Sequence, residues 1–121
     1  MAVQRSLLMF MRLGALFQLV VGIGLWTGHL YAMVSLHQTV GVLFVLSLWI
    51  IAIVSMAQGR MFGLAAFALV WGAVVAALGF TQQSLLPGDL HWIVRVLHLI
   101  IGMASVPIAE GLVPRPVRAT A

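Results

Sequence analysis

Apolar runs of about 20 residues alternate with short polar connections along the whole chain. A helix that crosses a hydrocarbon core of about 30 Å needs a run of that length, because each residue advances it by about 1.5 Å. The pattern predicts four such helices, over residues 6–27, 32–56, 61–81 and 90–113. We therefore expect one integral membrane domain that covers residues 1–121 and is surrounded by a lipid bilayer.

The connections between the runs predict the topology. Short connections make consecutive helices antiparallel neighbours, so we expect an all-α, four-helix transmembrane bundle of up-down-up-down order. Asp89 follows Pro87 and Gly88 and is predicted to cap the N-terminus of the fourth helix.

Arginines predict the orientation of this bundle. Five of the six basic residues fall at one end, and only Arg95 lies toward the other. The five are Arg5, Arg12, Arg60, Arg115 and Arg118. The positive-inside rule places that end, with both termini, in the cytoplasm of a bacterial-type inner membrane.

Composition agrees with this prediction and excludes several chemistries. The chain is 64% hydrophobic and 7% charged, with a mean hydropathy of +1.20, and a soluble domain of 121 residues cannot bury so much apolar surface. It has no cysteine, which excludes disulfides, thiolate metal sites, iron–sulfur clusters and covalently attached haem. The net charge of +4 comes mainly from arginines at segment ends, so we expect no nucleic-acid binding.

The four predicted helices contain an internal repeat. Helices 1 and 3 share the motif Phe-x-Leu-Val-x-Gly, and helices 2 and 4 share Leu-His-x-x-x-Gly. The motifs occupy residues 17–22, 67–72, 36–41 and 97–102. This pattern predicts two helical hairpins, 6–56 and 61–113, that are related by a pseudo-twofold axis along the membrane normal.

The repeat contains two histidines, His37 and His98, in equivalent positions. An ionisable side chain within a membrane span is costly and usually faces the interior at a functional site. The pseudo-twofold axis would let the two imidazoles face each other at similar depth. Two imidazoles without a third ligand suit the axial positions of one haem iron better than tetrahedral zinc. We therefore expect one haem b with bis-histidine ligation.

Four glycines are candidates for the walls of the haem slot. Gly41 and Gly102 each follow a histidine by four residues and therefore lie on the same helical face, one turn deeper. Gly22 and Gly72 are predicted at a comparable depth in helices 1 and 3. Glycine permits a macrocycle to approach the backbone closely, although small residues also let membrane helices pack together without a cofactor.

Arg95 lies three residues before His98 and near the outer end of its helix. It is placed to pair with haem propionates, with His91 or His29 assisting. The alternatives are an arginine that extends to the lipid headgroups and solvated histidines in the connections. Gln18 is a polar residue in helix 1 without a predicted role.

These features resemble those of four-helix membrane b-type cytochromes, namely the cytochrome b561-like proteins and the haem-binding membrane anchors of succinate dehydrogenase. The resemblance covers all four spans, and its specific residues are His37, His98, the paired glycines and Arg95. It implies an electron carrier. Members of the first group commonly carry two histidine pairs, whereas this chain has one, so we expect one haem near the outer face that does not bridge the bilayer.

A six-coordinate iron has no open position, so we expect no enzymatic turnover. The redox partner would be a quinone or a periplasmic carrier, and the chain could also be a subunit of a larger membrane complex. Two other functions remain open. One is a structural or accessory subunit without haem, in which the histidines only join helices. The other is a small proton- or metal-linked transporter that uses His37, His98 and Glu110.

Overall fold

The computed structural model describes residues 1–115, and these residues form an all-helical bundle. The helices are α1 (Ala2–Trp26), α2 (Val34–Ala57), α3 (Phe62–Thr81) and α4 (His91–Leu112). Short 3-10 turns precede α2 at Tyr31–Met33 and follow α3 at Gln82–Ser84. All four helices are long and apolar enough to span a membrane, which confirms the predicted fold class and is compatible with an integral membrane protein. Arg118 lies outside the described residues.

Glycine ends two of the helices. Gly59 (φ 66°) follows α2 in the left-handed conformation that glycine adopts without strain, and the amide of Arg60 donates to the carbonyl of Ser55 at 3.0 Å. Gly28 (φ 81°) follows α1 in the same way. The predicted cap of α4 is wrong: its N-cap is Leu90, so the Asp89 side chain does not cap the helix.

The four helices are arranged in a ring, and one pair of opposite helices, α2 and α4, is also in contact. Consecutive helices contact each other, α1 closes the ring against α4, and α2 also contacts α4 across the bundle. In residues 1–115, α1 and α3 do not pack against each other. This arrangement brings the two histidine-bearing helices together. The pseudo-twofold relation between the two hairpins remains a prediction.

The packed core lies at one end of the bundle. This end, which holds the N-terminus and the Gly59 turn, is called the arginine end here, and the opposite end is called the histidine end. The buried core comes from the first halves of α1 and α3 and the second halves of α2 and α4. Its fully buried members include Met11, Leu48, Ile51, Ala52, Ala65, Ala68, Ala109 and Leu112. The interior of the histidine end is different, because it contains a cavity.

Candidate functional site

His37 and His98 face each other inside the histidine end. His37 lies in the first turn of α2, and His98 lies two turns into α4. Their ring centroids are 6.3 Å apart, and the ring planes are tilted by 55°. Both side chains are partly buried. The structure therefore brings together the two histidines that the sequence singles out.

The two rings line a cavity of about 420 Å³ to which all four helices contribute. This volume falls within the range of small-molecule and cofactor pockets, about 300–1,000 Å³. Its deeper walls are apolar and include Ala15, Leu19, Phe44, Val75, Leu99 and Met103. Its mouth is polar and includes Tyr31, Gln82, Gln83, His91 and Arg95. The cavity thus suits a ligand with an apolar body and a polar edge.

Three buried polar atoms in this region have no hydrogen-bond partner within residues 1–115. They are Nδ1 of His37, Nδ1 of His98 and Oε1 of Gln18. A buried polar group without a partner costs about 1–3 kcal/mol. All three atoms border the same cavity, where a polar ligand or a metal would satisfy them. Within residues 1–115, neither imidazole Nδ1 makes a hydrogen bond that would join two helices.

Gln18 has a role that the sequence analysis missed. Its amide Nε2 donates to the backbone carbonyl of His37 at 3.0 Å and so ties α1 to the first turns of α2. Gly41 makes room for this contact, since a Cβ there would lie 3.0 Å from the Gln18 amide nitrogen. The signal in the sequence was a polar side chain within an apolar span, which is a functional candidate by default.

Two glycines lie directly against the histidine rings. A Cβ on Gly22 would lie 3.6 Å from Cε1 of His37, and a Cβ on Gly79 would lie 3.4 Å from Cε1 of His98. Gly79 is a second residue that the sequence analysis missed. Gly102 faces open space, since a Cβ there would meet no atom of residues 1–115 within 4 Å.

Gly72 lies elsewhere and differs from its prediction. It is buried, it does not line the cavity, and the indole of Trp49 packs directly against it. The depth is the reason, because Gly72 is more than two turns from the end of α3, whereas Gly22 is about one turn from the end of α1. Gly79, in the last turn of α3, takes the position predicted for Gly72.

Arg95 lies at the mouth, and within residues 1–115 it is the only permanently charged residue that lines the cavity. Its guanidinium carbon is 6.0 Å from the centroid of the Trp26 ring, a cation–π arrangement that keeps the charge at the mouth. His91 also lines the cavity, and its Nδ1 lies 3.0 Å from the carbonyl oxygen of Leu85. His29 is exposed and lies outside the lining.

Protein ligands for a metal ion are few here. Residues 1–115 contain no group of three or more histidine, aspartate or glutamate side chains that could hold a metal ion. Glu110 does not line the cavity and pairs with Arg12 instead. A metal held by the two histidines would therefore need its other ligands from a cofactor or from solvent.

Comparison of the chain with protein-family models, curated proteins and solved structures finds no match.

Proposed function

We propose that the chain is a membrane b-type cytochrome that binds one haem b through His37 and His98 and transfers electrons. The proposal rests on the distance between the ring centroids of His37 and His98. An imidazole nitrogen bonds a metal ion at about 2.0–2.1 Å, so two imidazoles that would hold one ion between them have ring centres roughly 6 Å apart. The observed separation is 6.3 Å.

The surroundings of the two rings support the same cofactor. Each histidine would bind iron through one of its ring nitrogens. The apolar walls would hold the macrocycle and exclude water, and Gly102 leaves open space one turn deeper than His98. Arg95 at the mouth would pair with the propionates. The haem supplies one-electron redox chemistry when bound.

Two axial histidines would leave no open position on the iron, so the proposed role is that of an electron carrier without turnover of its own. Because the cavity mouth opens at the histidine end, the partner would be a quinone or a carrier at that surface, which in a bacterial-type inner membrane is periplasmic. The termini and the Gly59 turn would lie on the cytoplasmic side. The chain could act alone or as a subunit of a larger membrane complex.

Absorption spectroscopy tests the proposal. The full chain, produced with ample haem and purified in mild detergent, is expected to be red, with a sharp Soret band and resolved α and β bands on reduction. One haem per chain is expected from extraction of the cofactor. A colourless preparation whose circular dichroism shows folded helices would contradict the proposal.

Histidine variants assign the ligands. His37→Ala and His98→Ala should each abolish the spectrum or convert it to that of a five-coordinate haem. His29→Ala is the matched control, since His29 is exposed and outside the cavity lining, and it should leave the spectrum unchanged. If His29→Ala had the same effect as the other two, the assignment of the ligands would be wrong.

A further inference from the structure

A second cavity lies at the arginine end, between the first half of α1 and the residues that follow α4. Its volume is about 420 Å³, and three arginines and one glutamate line it. They are Arg5, Arg12, Arg115 and Glu110. The remaining lining is apolar and consists of Leu8, Met9, Val113 and Pro114. This cavity has no role in the proposed electron transfer.

The charges in this cavity favour an anion. Nη2 of Arg12 lies 2.8 Å from Oε1 of Glu110, and Nε of Arg12 donates to the same oxygen at 2.9 Å. Arg12 therefore neutralises the one carboxylate. Three arginines against one glutamate leave a net charge of +2, which Arg5 and Arg115 present to the cavity.

An apolar surface continues from this cavity along α1. Met9 lines the cavity, and the exposed apolar residues that follow it recur every three or four positions, so they share one face of the helix. They are Leu13, Leu16, Val20 and Ile23. A basic cavity thus opens beside a lipid-facing apolar track that runs toward the histidine end.

We propose that this cavity binds the phosphate of an anionic phospholipid, with an acyl chain along the apolar face of α1. Guanidinium groups bind phosphate oxygens through charge-assisted hydrogen bonds, and basic pockets between membrane helices bind anionic headgroups. Arg5 and Arg115 hold the phosphate, and the exposed Arg12–Glu110 pair borders the cavity beside them. This inference is independent of haem binding.

Native mass spectrometry of the full chain in mild detergent tests the proposal, with dioleoyl phosphatidylglycerol and dioleoyl phosphatidylcholine as competing probes. Phosphatidylglycerol should bind more tightly. In the double variant Arg5→Gln, Arg115→Gln this preference should fall by about 30-fold, at about fivefold for each basic residue near an anionic headgroup. Arg60→Gln is the matched control, since Arg60 is exposed at the same end but outside the cavity, and it should retain the preference.

Three results would overturn the proposal. The first is equal binding of the two lipids. The second is a loss of preference in Arg60→Gln that is as large as in the double variant. The third is that inorganic phosphate displaces phosphatidylglycerol more than chloride does at equal ionic strength. The last result would identify free phosphate as the ligand. If the double variant does not fold, a photoreactive phosphatidylglycerol crosslinked to the unmodified chain tests the site instead. Crosslinks at residues 5–12 and 113–115 would support the site, and crosslinks mainly at the Gly59 turn would contradict it.

Discussion

Replacing Gly102 with leucine tests the cavity at the histidine end directly. This glycine lies one turn deeper than His98, and a Cβ on it would meet no atom of residues 1–115 within 4 Å. The cavity is therefore open at the first side-chain atom, and we expect the rest of a leucine side chain to extend into it. We expect the chain without haem to fold as the unmodified chain does.

The same leucine would compete with a bound macrocycle. Extra methylene groups in a well-packed interior cost about 1–3 kcal/mol. Since about 1.4 kcal/mol corresponds to a tenfold change in affinity, haem should bind about 5- to 150-fold more weakly. Gly102→Ala adds one methyl group and should lie between the leucine variant and the unmodified chain.

The assay is a titration of haem into the purified chain in mild detergent, followed by the Soret absorbance, beside a thermal melt of the haem-free chain followed by circular dichroism. A weakened haem affinity with an unchanged melt is the expected pair of results. Unchanged haem affinity in Gly102→Leu would refute the placement of the macrocycle beside Gly102. A lowered melting temperature without haem would refute the claim that leucine fits the cavity.

Three further predictions concern neighbouring residues. Gly72→Ala would place a methyl group against the Trp49 indole and should destabilise the bundle by about 1–3 kcal/mol in unfolding experiments. Gln18→Leu removes the donor to the His37 carbonyl; stability should change by only about 0.6 kcal/mol, and the haem spectrum should shift rather than disappear. Arg95→Gln removes a charge-assisted bond of about 1.5–3 kcal/mol and should weaken haem binding at least about tenfold in the same titration; an unchanged affinity would show that Arg95 contacts no propionate.

The four helices could be predicted from the sequence because the thickness of a membrane sets the length of an apolar span. The ends were less predictable. α1 begins at Ala2 rather than at residue 6, and its first turn packs against α2: Gln4 is fully buried, and its Nε2 donates to the carbonyl of Ile51 at 3.5 Å. The position of His37 opposite His98 could also be anticipated, since costly polar side chains in lipid tend to face the interior.

The glycines show where sequence reasoning fails. Gly22 and Gly72 occupy matching motifs, yet Gly22 lies beside His37 and Gly72 lies beside Trp49. Common apolar residues recur by chance in such helices, so a short motif fixes neither the rotation of a helix nor its depth. Gly41 is a similar case. The sequence predicts that a haem approaches this glycine, and in the structure the Gln18 side chain lies against it.

The contrast between the two ends raises the question of what keeps the histidine end open. Membrane helices have no hydrophobic driving force between them and associate through close packing and hydrogen bonds, so a hollow end could close by tilting. Two tryptophans near the middle of the bundle act against this. Nε1 of Trp49 on α2 donates to the carbonyl of Leu69 on α3 at 3.0 Å, and Nε1 of Trp71 on α3 donates to the carbonyl of Ile101 on α4 at 3.1 Å.

These two bonds link α2, α3 and α4 at the boundary between the packed core and the cavity. Gly72 lets the nitrogen-bearing edge of the Trp49 indole approach α3 closely, and so contributes to this boundary rather than to the cavity wall. The small residues of the chain therefore serve two purposes at two depths. Near the middle, Gly72 admits the Trp49 indole, and at the histidine end, Gly22 and Gly79 let the backbones of α1 and α3 lie against the imidazoles.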